Sequence, residues 1–119
     1  MTVTGIDHVQ VAAPAGCETE ARAFYGGLLE LEELPKPEPL AARGGCWFRA
    51  GAQELHVGVE EPFTPARKAH PSFVVSDLGG LAARLTGEGI EVTWDDEIPG
   101  TKRFYAADPF GNRLEFREA

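Results

Sequence analysis

Methionine occurs once and cysteine twice among the 119 residues, and no apolar run is long. Cys17 and Cys46 are too few and too far apart for a disulfide framework or a zinc knuckle, so both are expected to be reduced and structural. A membrane span needs about 18 uninterrupted apolar residues, and no stretch approaches that. Positive charge is also scarce: eleven Lys and Arg against nineteen Asp and Glu give a formal charge of −8. Nucleic acid and anionic membrane both demand clustered Lys and Arg, so neither is an expected partner. The opening residues MTVTGIDHVQVAAP lack the basic start and apolar core of a secretory leader, which makes a cytoplasmic address the expectation.

What remains is an ordinary globular balance, 43% hydrophobic and 25% charged, at a length that fits one domain over residues 1–119. Alternation predicts a strand over 6–12, with Ile6, His8 and Gln10 on one face. Ala21, Phe24, Tyr25, Leu28 and Leu29 recur at helical spacing and predict a helix over 18–31, with Thr19 near its N-cap and Gly26-Gly27 weakening its last turns. Three prolines make 34–40 an irregular edge strand or a loop. Strands are expected over 46–50 and 54–59. The prolines of 61–69 mark a linker, after which the order restarts. It runs through a strand over 70–76, a helix over 78–88 ended by Gly87 and Gly89, and strands over 90–94, 103–107 and 113–117. Asp108-Pro109-Phe110-Gly111-Asn112 is a turn by composition.

Each half therefore reads strand, helix, three strands, with one repeat over about 1–60 and the second over 70–119. His8 matches His70, each opening a strand. Trp47-Phe48 to His56 matches Phe104-Tyr105 to Glu115, apart from a longer second turn. A half of this size cannot close a core alone, which is a physical reason for duplication. The chain has only three histidines. All three, with Glu115, fall at matched positions inside predicted strands. Two sheets curving towards each other would bring the four side chains to one cleft. Three imidazoles and a carboxylate suit zinc, nickel, iron(II), cobalt or manganese. The imidazoles must be neutral to bind, so affinity should fall below about pH 6.

His8-Val9-Gln10-Val11, Phe24-Tyr25 with 28–31, His70 with Phe73-Val74-Val75 and Asp77-Leu78, and Asp108-Pro109-Phe110-Gly111-Asn112-Arg113-Leu114-Glu115 resemble the vicinal oxygen chelate superfamily. That superfamily takes in glyoxalase I, methylmalonyl-CoA epimerase, extradiol dioxygenases, and fosfomycin- and bleomycin-resistance proteins. The resemblance covers nearly the whole chain, and its most specific part is D-P-x-G-N-x-x-E. It implies an α+β fold of two tandem βαβββ modules forming a curved mixed-sheet cleft that holds a divalent metal, often in a homodimer. His8, His70 and Glu115 fall on ligand positions common to metal-dependent members. His56 falls on the more variable fourth, where bacterial glyoxalase I has a glutamate and the epimerase a glutamine.

The implied activity is of glyoxalase-like lyase or isomerase type on a small oxygenated substrate, with Glu115 moving a proton beside a metal-chelated carbonyl. Iron(II) extradiol chemistry on His8, His70 and Glu115, with Tyr105 as an acid, ranks below it. The non-enzymatic alternative is a protein that sequesters a drug or metabolite. Phe24, Trp47, Phe48, Phe73, Phe104 and Phe116 are expected mostly in the core, with the Tyr25 ring packed and its hydroxyl wet. Trp47 and Phe104, matched across the repeat, are candidates for apolar walls of the cleft. Arg49 and Arg103 are candidates to hold a substrate carboxylate, and Gly100-Thr101 to form a mobile lid.

Overall fold

Alternating apolar and polar side chains draw residues Met1–Thr64 into a four-stranded sheet, seen in a computed structural model that describes residues 1–119. Its strands are β1 (His8–Ala13), β2 (Glu32–Leu34), β3 (Cys46–Ala50) and β4 (Gln53–Val59), in the order β1-β4-β3-β2. Strand β1 runs parallel to β4, and the other pairs are antiparallel. One face carries the buried Val11, Cys46, Phe48, Leu55 and Val57. Full burial of an aliphatic or phenyl side chain stabilises by roughly 1.5–3 kcal/mol, so this face dominates the unit's stability.

The expected helix is shorter and wider than its periodicity suggests. Helix α1 (Glu18–Ala21) passes into a π-helical segment, Arg22–Leu28, in which Leu29 N–H donates to the Phe24 carbonyl five residues back at 2.9 Å. Gly26 and Gly27, poor helix formers, lie inside this wide turn. The N-cap is Cys17 rather than Thr19, and its side chain makes no capping bond. Phe24 and Tyr25 are buried, with the Tyr25 ring tilted against Phe48 at 5.8 Å. Tyr25 has no exposed surface, so its hydroxyl is not wet. Beyond β2 the proline-rich stretch forms a short helix, α2 (Glu38–Ala41), instead of extended edge strand.

Glu18 ties this helix to the sheet. Its carboxylate accepts the Gly45 N–H at 2.6 Å, at the entry to β3. Gly45 has φ +85, and a Cβ there would stand 2.1 Å from the Val57 carbonyl, so only glycine fits. The Gly45 bond is the main cause holding the Glu18 carboxyl below the usual carboxylate range. A lowered folded pKa contributes stability that is present above the ordinary carboxylate pKa and lost as pH falls through the lowered value. Acid unfolding of the wild type should therefore be steeper than that of Glu18→Gln below about pH 4.5, with both followed by circular dichroism. Equal slopes would remove Glu18 from the acid response. Burial, then Glu18, pushes the Cys17 thiol up to about 11. Both cysteines are free and buried, the inert role that their scarcity suggested.

Residues Pro65–Ala119 form the second unit. Strands β5 (Ser72–Val74), β6 (Thr93–Asp95), β7 (Arg103–Ala107) and β8 (Arg113–Arg117) follow the order β5-β8-β7-β6, with β5 parallel to β8. The connectivity and strand directions of the first sheet recur, which gives the α+β pattern of tandem βαβββ modules. Helix α3 (Leu78–Gly87) starts at Asp77, whose carboxylate caps the Gly80 N–H at 3.0 Å. Its buried stripe of Leu78, Ala82 and Leu85, with Phe104, Ala106, Leu114 and Phe116 from the sheet, supplies the unit's buried apolar residues. His70 lies outside β5, contrary to expectation, because Pro71 has no N–H to continue a ladder. The Pro71 carbonyl nevertheless accepts the Glu115 N–H at 3.0 Å and keeps His70 beside β8. No helix is long and apolar enough to cross a membrane.

The Asp-Pro-Phe-Gly-Asn segment is a knotted turn between β7 and β8. The buried Asp108 accepts the backbone N–H groups of Phe110 and Asn112, each at 2.9 Å, and the Asn112 side-chain amide at 2.8 Å. Gly111 supplies the positive φ of +91 that the turn requires.

Candidate functional site

Strand alternation places the expected donors on the faces opposite the apolar ones. On the first sheet, Trp47, His56 and Gln10 stand in one cross-strand row, and Arg49, Glu54 and His8 in the next. On the second, Ser72, Glu115, Tyr105 and Thr93 form one row. His8 pairs with Glu54, two residues before His56; Ser72, two residues after His70, pairs with Glu115. The pairs His8/His56 and His70/Glu115 thus occupy the same diagonal of two equivalent parallel strand pairs.

In the first unit the His56 ring is sandwiched between Trp47, 3.9 Å away and parallel within 2°, and His8, 4.1 Å away. His56 Nε2 faces Glu54 Oε1 at 2.9 Å, and His8 Nδ1 faces Asp7 Oδ2 at 2.9 Å. An ionised carboxylate only accepts, so those two nitrogens carry the hydrogens. The lone pairs are left on His56 Nδ1 and His8 Nε2. Glu54 thereby sets the tautomer and angle of a ring that is 4% exposed. Loss of such an outer partner typically costs 10–100-fold in metal affinity. Glu54→Gln should weaken metal uptake by about that factor and mix the two His56 tautomers in imidazole 15N spectra. A single unchanged tautomer would mean that Glu54 does not hold the ring.

In the second unit His70 Nδ1 lies 2.8 Å from the Lys68 carbonyl, and Nε2 lies 3.0 Å from Glu115 Oε1. Both partners are acceptors, whereas a neutral imidazole carries one N–H. With Nδ1–H given to the carbonyl, the space between Nε2 and the carboxylate takes either a second ring hydrogen, which makes the ring a cation that donates to Glu115, or a metal ion. Two ligand atoms of one tetrahedral or octahedral ion stand about 3–3.5 Å apart, so the separation suits a metal. Glu115 is 5% exposed. Burial pushes its pKa up, but hydrogen bonds from His70 and Ser72 and the charges of Arg103 and His70 outweigh this and hold the carboxyl below its ordinary value. Tyr105 donates to the same Oε1 at 3.4 Å.

The four expected donors therefore come as two pairs, and no cluster of three or more His, Cys, Asp or Glu side chains stands ready for a metal. Phe104 needs correcting. It has no exposed surface and stands on the apolar face between Trp94 and Phe116, at 5.2 and 5.1 Å, so it walls no site. Tyr105, across from Glu115 as Trp47 is across from His56, is the true counterpart of Trp47. Arg103 does not stand free for a substrate either: it binds Asp95 at 3.1 and 3.3 Å and reaches Glu115 at 3.5 Å. Arg49 is exposed, in register with Glu32 and Glu54. Gly100 and Thr101 form a turn closed by the Thr101 N–H to the Ile98 carbonyl at 3.2 Å. Glu54 went unnoticed in the sequence, although two residues before His56 on a strand is the same-face position.

No family model and no curated protein matches the chain. A solved structure does: a Bacillus anthracis protein assigned to the glyoxalase family is 57% identical over 99% of this chain and 97% of its own, with a TM-score of 0.95. The chain belongs to the glyoxalase family, within the vicinal oxygen chelate superfamily. More distant structures share the glyoxalase fold. Lactoylglutathione lyase from Agrobacterium tumefaciens is 21% identical over 100% of this chain and 96% of its own, at a TM-score of 0.76. The fosfomycin resistance protein FosX from Listeria monocytogenes is 13% identical over 99% and 95%, at 0.79.

Proposed function

We propose that this glyoxalase family protein is a metal-dependent lyase or isomerase acting on a small oxygenated substrate. Its donor set is His8, His56, His70 and Glu115, the same four residues whether one chain or two identical chains supply the pairs. The observation that carries this reading is the shared diagonal of His8/His56 and His70/Glu115, together with the paired acceptors around His70. A bound divalent ion would supply Lewis acidity, polarising a substrate carbonyl and stabilising negative charge on its oxygen.

The protein's own contribution centres on Glu115. Ionised at neutral pH and fixed by His70, Ser72 and Arg103, it can accept a proton from carbon beside the carbonyl and return it to the neighbouring atom. The Tyr105 hydroxyl, bonded to the same oxygen, keeps the carboxylate oriented. His56, held in its stack, makes a fourth donor and places the iron(II) two-histidine, one-carboxylate reading second. Elemental analysis of untagged protein, with a metal-replete screen against small 2-oxo acids, epoxides and catechols, tests the proposal. About one ion per chain and turnover in the lyase or isomerase class are expected. No bound metal and none taken up would point instead to a sequestering protein.

A further inference from the structure

The geometry points to Arg113 as the anchor for a negatively charged group on the substrate, so that the ligands of this face are small oxygenated anions such as carboxylates. The inference rests on the proposed reading of the Glu115 face as the substrate side. That face of the second sheet carries three arginines, Arg103, Arg113 and Arg117, in a chain that is otherwise strongly acidic. Their situations differ. Arg103 is spent on Asp95 and Glu115. Arg113 stands over the Tyr105 ring, its guanidinium carbon 4.0 Å from the centroid, and no carboxylate forms an ion pair with it.

Stacking on an aromatic ring holds a guanidinium in one plane without using its N–H donors, which point outward in a fork matched to a carboxylate. The ring it rests on is the one whose hydroxyl contacts Glu115. Arg113 and Glu115 are also alternate residues of β8, hence neighbours on one face. A fixed cation with free donors thus stands beside the proposed proton acceptor. Arg103, bonded to Asp95 and close to Glu115, instead serves the protein's own carboxylates.

The test uses metal-replete protein and two probes, oxalate as a dianion with vicinal oxygens and catechol as an uncharged counterpart at neutral pH, each titrated by calorimetry. Charged hydrogen bonds of this kind are worth about 10- to 100-fold in affinity. Arg113→Gln should weaken oxalate by that factor and leave catechol and metal content unchanged. Arg113→Lys should recover part of the loss, and Arg117→Gln should stay within about threefold of wild type. Wild-type protein that binds no oxalate, an Arg113→Gln protein within about threefold of wild type, or equal losses for both probes or both glutamine variants would overturn the assignment. Should the protein take up no metal, the same oxalate comparison on metal-free protein decides for Arg113, so the two readings fail separately.

Discussion

Glu115→Gln is expected to lower divalent-metal affinity by more than about 100-fold, beyond the range that loss of an outer partner costs. The amide keeps the size of the side chain but loses the charge that a borderline divalent ion selects. The diagonal neighbour His70 would keep its Lys68 contact and lose the ionic partner at 3.0 Å. Competition against a chromogenic chelator measures the effect. Tyr105→Phe removes one 3.4 Å bond to the same oxygen, so its loss should stay below about tenfold. Equal affinities for wild type and Glu115→Gln would exclude the carboxylate from the donor set.

Phe104→Ala should cost about 3–5 kcal/mol of folding stability, a large share of the roughly 5–15 kcal/mol that domains possess. The ring is fully buried, stacked against Phe116, which in turn stacks on Phe73 at 5.4 Å. Its removal leaves a cavity that two rigid neighbours cannot close. Urea denaturation reads the loss. Phe104→Leu, which refills most of the volume, should cost far less and leave metal uptake unchanged. If Phe104→Ala kept its stability and lost ligand binding, the ring would belong to the site and not to the core.

The two variants also mark where the sequence was legible. Repeated spacing was enough to pair His8 with His70 and His56 with Glu115, because the two intervals, 48 and 45 residues, are nearly the same. The same alignment matched Trp47 to Phe104, one residue short of Tyr105. In a strand that single step exchanges the two faces, turning a core ring into a supposed wall. The longer β7–β8 turn, which shifts the count, caused the slip. The strand bounds near His70 failed for a different reason: Pro71 withholds the hydrogen that a ladder needs. The π-helical widening after Ala21 and the sandwiching of His56 left no periodic trace. The stack depends on rings carried by two other strands, His8 on β1 and Trp47 on β3.

The Asp108–Asn112 turn has a consequence for how such a chain can vary. Five hydrogen bonds within the turn, three to the Asp108 side chain and two through its backbone, fix how many residues separate β7 from β8. Substitution at the exposed Pro109 changes a surface. Deletion of one residue would present Phe116 where Glu115 stands and send the carboxylate into the interior. Drift can rewrite part of this loop's wording, but its length is bound to the chemistry of the strand that follows.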